Sequence, residues 1–156
     1  MKLDFSVAVH SILYLDAHRD SKVASRELAQ SLHLNPVMIR NILSVLHKHG
    51  YLTGTVGKNG GYQLDLPLVE MNLGDIYDLT IPPTISYARF ITGPSKTDEQ
   101  ASQSPIAANI SETLTDLFTV ADRQYRAYYH QFTMADLQQD LKQHGLFLKR
   151  ERDSES

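Results

Sequence analysis

The chain has 156 residues, a formal net charge of −3, 42% hydrophobic and 21% charged residues, and no cysteine. This composition is typical of a globular protein with one ordinary core and some length left over, not of a disordered chain. The lack of cysteine excludes disulfides, thiol catalysis and thiolate-bound clusters. No apolar run approaches the roughly 18 residues of a membrane helix and no signal-peptide pattern opens the chain, so we expect a cytoplasmic protein.

The charge is divided unevenly along the chain. Residues 1–66 contain seven Lys and Arg against five Asp and Glu, a balance of +2, and five of the seven histidines. Residues 67–156 contain eight Lys and Arg against thirteen Asp and Glu, a balance of −5. This modest asymmetry points to the N-terminal half as the part that would face an acidic partner such as DNA.

The N-terminal segment has the pattern of short helices joined by tight turns. Apolar residues at helical spacing predict a helix over 3–17, and Val23-Ala24 is a candidate for a minimal strand. Ser25 is expected to cap a second helix over 26–32, and only His33-Leu34 separates that helix from the next capping residue. Two short helices joined so tightly are typical of a helix-turn-helix motif, and an ordinary helical hairpin within a bundle is the alternative.

The third helix carries the strongest functional signal. Asn35 is a good N-cap, Pro36 suits the first helical position, and the helix is predicted to run through His47. Its inward face is apolar and consists of Ile39, Ile42, Leu43 and Leu46. Its other face carries short, polar or basic side chains, namely Val37, Arg40, Asn41, Ser44 and Lys48. Because Arg can bind guanine and Asn can bind adenine in the major groove, this pattern predicts a recognition helix.

The segment after this helix is typical of a wing. Residues 51–56 and 62–66 alternate in polarity and are predicted to be strands. The tip between them, Gly57-Lys58-Asn59-Gly60-Gly61, exposes backbone amides and allows close approach to a phosphate backbone. A plain hairpin turn would use the same residues, and no nucleotide-binding glycine motif is present.

The second half is predicted to contain a short helix, an irregular connection and one long helix. Asn72, with Asp75 three residues later, predicts a helix through Leu79, and residues 84–104 are polar and irregular. Ser104-Pro105 then starts the longest helix, over about 106–130. A short helix is expected over 133–145, and the charged tail from Lys149 is expected to fray.

The long helix has a continuous apolar stripe, made of Ile106, Ile110, Leu114, Leu117, Phe118, Ala121, Tyr125, Tyr128 and Phe132. A helix of about 25 residues spans nearly 40 Å, longer than a small N-terminal domain could cover. A second copy of the chain is therefore the expected partner, and a helix lying over its own domain is the alternative. The predicted dimerisation residues are Ile110, Leu114, Leu117, Phe118, Ala121, Tyr125 and Tyr128.

These elements predict a mainly α fold with a small β-wing. The expected organisation is a winged helix-turn-helix DNA-binding domain at 1–80 and an irregular linker at 81–104. A dimerisation helix with a short C-terminal helix would follow at 105–148, and a tail at 149–156.

The chain resembles the Rrf2 family of bacterial winged helix-turn-helix transcriptional regulators, which includes IscR, NsrR and CymR, and in particular its YwnA-like branch. The matching residues begin with Ser25-Arg26-Glu27-Leu28-Ala29 and Asn35-Pro36-Val37-Met38-Ile39-Arg40, and continue with Leu46-His47-Lys48-His49-Gly50-Tyr51-Leu52, the glycine wing from Gly57 to Tyr62, Leu64 and Pro67. Leu73-Gly74-Asp75-Ile76-Tyr77 and Ser104-Pro105-Ile106-Ala107-Ala108-Asn109-Ile110 extend the match across nearly the whole chain. Order and spacing together make the resemblance specific.

The resemblance implies a homodimer that binds a nearly palindromic operator on double-stranded DNA and acts mostly as a repressor. It places Asn35, Pro36, Val37, Arg40, Asn41 and Ser44 at the DNA, with Arg26 near a phosphate and Lys58, Asn59, Gly60 and Gly61 in the wing. Many members bind an iron–sulfur cluster through cysteines that this chain lacks, so neither a cluster nor thiol sensing is expected. The first helix is also less basic than is usual for the family, because Lys2 is followed by Asp4.

Other functions have weaker support. The histidines lack the spacing of a metal site, since His47 and His49 point different ways on a helix. No nucleophile motif supports an enzyme, and Asp136 and Asp140 are better explained as a solvated helix edge than as an acid–base pair. The main alternative is a winged-helix dimer that serves as a protein-interaction module with little DNA binding. A small-molecule effector or a partner protein is expected, but the sequence does not identify it.

Overall fold

The structure, a computed structural model, describes residues 3–82 and 105–155. Its helices are α1 (Leu3–Ala17), α2 (Ser25–Leu32), α3 (Pro36–Lys48), α4 (Leu73–Thr80), α5 (Pro105–Tyr129), α6 (Met134–Gln143) and α7 (Leu146–Ser154). Two strands, β1 (Leu52–Thr55) and β2 (Gly61–Leu64), and a 3-10 turn at Leu68–Glu70 lie between α3 and α4. The mainly α fold with a two-stranded wing and a long C-terminal helix is confirmed. The predicted irregular segment at 84–104 lies outside the described residues.

The first three helices form around one apolar core because each contributes a stripe at helical spacing. The fully buried side chains include Ile12 and Leu15 of α1, Leu28 of α2, and Ile39 and Leu43 of α3. The turn between α2 and α3 is tight because His33 adopts a left-handed conformation (φ 53°). This conformation ends α2 by presenting the His33 backbone N–H to the Ala29 and Gln30 carbonyls.

The wing is an antiparallel pair in which Leu52 lies opposite Leu64 and Thr55 lies opposite Gly61. The predicted minimal strand before α2 is a single bridge: Val23 and Tyr62 exchange two backbone hydrogen bonds of 3.0 and 2.8 Å. The wing is therefore attached to the segment that leads into α2. Arg19 adds a second attachment, because its guanidinium donates to the Leu66 carbonyl at 3.0 Å.

The prediction that Ser25 caps α2 was wrong. Ser25 is the first residue of α2, and Ala24 occupies the cap position without a side-chain hydrogen bond. Val23 fixes this register, because its pairing with Tyr62 holds the backbone extended until Ala24. By contrast, Asn35 and Asn72 both cap their helices as predicted.

Helices α6 and α7 belong to the same compact unit as the N-terminal domain. Residues 129–155 and 3–81 form one compact unit, whereas α5 as far as Tyr128 belongs to a second. The Leu73 N–H donates to the Phe132 carbonyl at 2.9 Å, and the Met134 N–H donates to the Met71 carbonyl at 2.8 Å. These backbone pairings attach the start of α6 to the start of α4, and the domain boundaries expected from the sequence, 1–80, 81–104, 105–148 and 149–156, stay predictions.

Two further expectations about the C-terminal region were wrong. Phe132 lies beyond the end of α5 and is buried in the N-terminal core, so it does not belong to the apolar stripe. The tail from Lys149 is helical through Ser154. Asp140 accepts from the Phe147 N–H at 3.0 Å, and Arg150 pairs with Asp136 at 3.3 Å, so the last helix has anchors within its own unit.

Helix α5 has 25 residues, a length of about 38 Å at 1.5 Å per residue. None of the helices described in residues 3–82 and 105–155 is long and apolar enough to cross a membrane.

Candidate nucleic-acid interface

Helix α3 has one buried face and one exposed face. Ile39, Ile42, Leu43 and Leu46 are buried, which fixes the rotation of the helix about its axis. The five residues predicted for the outer face are all exposed, and Val37 is 53% accessible although it is apolar. Arg40 and Asn41 therefore lie side by side at the surface, where both are accessible to a base edge.

The start of α3 is fixed by its cap. The Asn35 side chain accepts a hydrogen bond from the Val37 backbone N–H at 2.8 Å, and Pro36 occupies the first turn, where a backbone N–H is not needed. Both residues are exposed. The rigid start of the helix positions Val37, Arg40 and Asn41 with little freedom in the backbone that carries them.

Arg26, on the first turn of α2, is also exposed. It lines a shallow surface depression together with Gln30 and His33 of α2 and the turn, and with Pro36 of α3. The predicted phosphate-contacting residue therefore lies beside the start of α3, in a depression lined by both helices of the motif.

The wing tip has a conformation that depends on glycine. Gly57 and Gly61 have positive φ values of 118° and 153°, and a Cβ atom on Gly61 would lie 2.8 Å from the Val23 backbone. A Cβ on Gly60 would overlap the Thr55 carbonyl oxygen. The hairpin itself thus accounts for Gly60 and Gly61, while Lys58 and Asn59 are exposed at the tip.

Sequence reasoning did not anticipate how α3 is joined to the wing. The His47 ring meets the Tyr62 ring edge-on, with 6.3 Å between the centroids. Tyr62 is also the residue that pairs with Val23. The contact fixes the wing relative to Lys48 and the end of α3, and no motif in the sequence marks it, because the two rings are brought together only by the fold.

The predicted dimerisation surface is on α5. Leu117, Val120, Tyr125 and Tyr128 are 59%, 51%, 45% and 43% exposed, respectively. Ala121 is exposed, while Ile110, Leu114 and Phe118 are half-buried. Val120 was not in the predicted set. Its exposure widens the apolar surface by one residue.

A sequence profile of the Rrf2 family, described as iron-dependent transcriptional regulators, matches residues 1–140. The chain belongs to the Rrf2 family. This Rrf2-family chain is 28% identical over 124 residues to Protein rrf2 of Nitratidesulfovibrio vulgaris, which covers 78% of the chain and 74% of that protein.

Solved structures agree with this assignment. A transcriptional regulator from Lactobacillus plantarum is 90% identical, covers 99% of each chain and has a TM-score of 0.91. IscR of T. potens is 18% identical and covers 90% of this chain and 87% of its own, with a TM-score of 0.59. CymR, the global cysteine regulator of B. subtilis, is 17% identical and covers 88% and 94%, with a TM-score of 0.56. The last two show a shared fold.

The family description names iron. Whether this chain could bind iron depends on which metal-binding side chains it contains. Iron–sulfur clusters are bound mainly by cysteine thiolates, and the chain contains no cysteine. In the described parts of the chain, no group of three His, Asp or Glu side chains could hold a metal ion. The residues present do not fit a thiolate-bound iron–sulfur cluster.

Proposed function

We propose that this Rrf2-family regulator is a sequence-specific DNA-binding repressor. It acts as a homodimer on a nearly palindromic operator and works without an iron–sulfur cluster. The observation that carries the proposal is the outward orientation of Arg40 and Asn41 on a helix whose opposite face is fully buried. This orientation is what insertion into a major groove requires, since base edges are read by side chains that project from one helix face.

The surrounding groups support contacts with the DNA backbone. Arg26 on α2, Lys48 at the end of α3 and Lys58 at the wing tip are all exposed cations. Phosphate contacts of this kind set register and orientation, while the base contacts determine sequence. Residues 1–66 carry a net charge of +2 in a chain whose net charge is −3. This distribution favours the N-terminal half as the part that contacts DNA.

The exposed apolar surface of α5 supports the dimer. Soluble monomers seldom expose a large contiguous apolar patch, and the exposed Leu117, Tyr125 and Tyr128 lie eight and three residues apart on one face of α5, with Val120 at the edge of that face. Pairing with a second copy about a two-fold axis would bury this face and present two recognition helices to two half-sites.

Selection of bound fragments from the source genome, followed by fluorescence anisotropy on the recovered sequence, tests the proposal. We expect a nearly palindromic fragment that binds two chains. With six or more phosphate contacts, its affinity should fall on the order of 10³-fold between 50 and 200 mM salt. No enriched sequence, together with affinity for DNA that hardly responds to salt, would favour the protein-interaction module that the acidic C-terminal half also fits.

A further inference from the structure

A groove runs along one flank of α3. Its volume is about 460 Å³, and it lies between α3, the first turn of α1 and the end of α4. This volume is within the roughly 300–1,000 Å³ of small-molecule sites. Its apolar wall is formed by Met38, Ile42, Val45 and Leu79.

The polar residues described in the lining of the groove are Asp4, Asn35, Asn41 and Thr80, and Asp4 is the charged one among them. Asp4 supplies a carboxylate and Asn41 supplies a side-chain amide, and none of the lining residues within 3–82 and 105–155 is Lys, Arg or His. Within the described residues, neither Asp4 nor Asn41 has a side-chain hydrogen bond or ion pair. The hydroxyl of Thr80, by contrast, is already donated to the Ile76 and Tyr77 carbonyls at 2.9 and 3.2 Å.

We infer that this groove is an effector site for a small organic cation, an amine with an aromatic or short aliphatic body. The apolar wall would take the body, Asp4 would pair with the ammonium group, and Asn41 would accept or donate a hydrogen bond. An anionic ligand is disfavoured because it would place a second negative charge next to Asp4, and the described lining residues include no cation to offset it.

The site shares residues with the proposed DNA surface. Val37 and Asn41 line the groove and also belong to the outer face of α3. A bound amine that contacts both would cover part of the face that reads bases, so the ligand and the operator would compete. This consequence rests on the proposed function, whereas occupancy of the groove does not.

Binding is tested on the full chain, labelled with ¹⁵N and without DNA. The probes are phenethylamine, which is cationic at neutral pH, its neutral analogue 2-phenylethanol and its anionic analogue 3-phenylpropionate. We expect phenethylamine to shift the amide signals of Val37, Asn41 and Thr80, and to bind about tenfold more tightly than 3-phenylpropionate.

Two conservative variants separate the groove from general charge effects. In Asp4→Asn the preference for the cation should fall to about twofold or less, because the carboxylate is gone. Asp20→Asn removes another exposed carboxylate that does not line the groove, and it should keep the full preference. Shifts outside the groove, or equal binding of the three probes, would overturn the inference.

The competition is then measured with the selected operator. Saturating phenethylamine should lower the operator affinity of the Asp20→Asn control by about fivefold or more. On Asp4→Asn it should do no more than the same concentration of sodium chloride. If the amine occupies the groove and the operator affinity does not change, the inferred competition between the amine and the operator is wrong. If no DNA binds at all, the proposed function fails while the groove result stands.

Discussion

Gly74 lies directly against the ring of His130, and a Cβ atom added to Gly74 would overlap the imidazole. The ring is held in place by α4 itself: its Nε2 is 2.8 Å from an Asp78 carboxylate oxygen, and its Nδ1 is 3.5 Å from Asp75. The Asn72 side chain also donates to the His130 carbonyl at 2.9 Å. His130, the residue that follows α5, is therefore held against the first turn of α4.

This contact reverses the usual effect of replacing a helical glycine. Gly→Ala in a helix normally stabilises by about 1 kcal/mol, but Gly74→Ala should destabilise the protein by about 1–3 kcal/mol because the His130 ring must leave its place. Urea unfolding measures the change. In a His130→Ala background, the same substitution should become neutral or stabilising. A gain in stability from Gly74→Ala alone would contradict the packing described.

The two candidate caps of the helix-turn-helix motif should respond differently to alanine. Asn35→Ala removes the acceptor for the Val37 N–H and should cost about 1 kcal/mol. Ser25→Ala should change stability by no more than about 0.5 kcal/mol, because Ser25 lies inside α2 and makes no capping hydrogen bond. Thermal unfolding of the two variants provides a matched comparison. Equal losses would mean that Ser25 caps α2 after all.

Asp136 should make stability depend on acid pH. The Thr133 backbone N–H donates to its carboxylate at 2.8 Å and lowers its pKa, with a further contribution from Arg150. Because the folded pKa lies below the unfolded value of about 3.9, the stabilisation is complete above that value. It is lost as the pH falls through the lower, folded pKa.

Thermal unfolding between pH 7 and pH 3 therefore should show a smaller acid-dependent loss in Asp136→Asn than in the unaltered protein. Asp153→Asn is the control, since Asp153 is an exposed carboxylate of α7. An unchanged acid profile in Asp136→Asn would argue against the hydrogen bond between Thr133 and Asp136 as the source of this pH dependence.

The proposed dimer should be sensitive to charge on the outer face of α5. Leu117→Arg places a cation on the apolar face and should shift the protein to monomers in sedimentation equilibrium. Its helix content should not change, because the side chain is 59% exposed in the single chain. Val69→Arg, at a 65% exposed apolar position in the 3-10 turn, is the matched control. A dimer that withstands Leu117→Arg and dissociates with Val69→Arg would locate the interface elsewhere.

The sequence predicted those parts of the fold that depend on neighbouring residues. The start of α3 followed from Asn35-Pro36, and its orientation followed from apolar residues spaced three and four apart. The same reasoning placed Arg40 and Asn41 on the surface. Such features are local, so one stretch of sequence contains the information needed to predict them.

The features that were missed depend on distant partners. The ordered tail needs Asp136 and Asp140 to meet Arg150 and Phe147, which one apolar period cannot reveal. Ser25 failed as a cap because Val23 pairs with Tyr62. The groove beside α3 was likewise not foreseen, since Asp4 and Leu79 reach it only through the packing of α1 and α4.

The binding of the selected operator by Arg40→Ala, measured by anisotropy beside a Lys142→Ala control, tests the central claim most directly. Both residues are exposed cations, but only Arg40 is on the outer face of α3. Arg40→Ala should weaken specific binding by about 1–3 kcal/mol, or roughly 5- to 150-fold, and Lys142→Ala should bind as the unaltered protein does. Unchanged operator affinity in Arg40→Ala would contradict the assignment of α3 as the recognition helix.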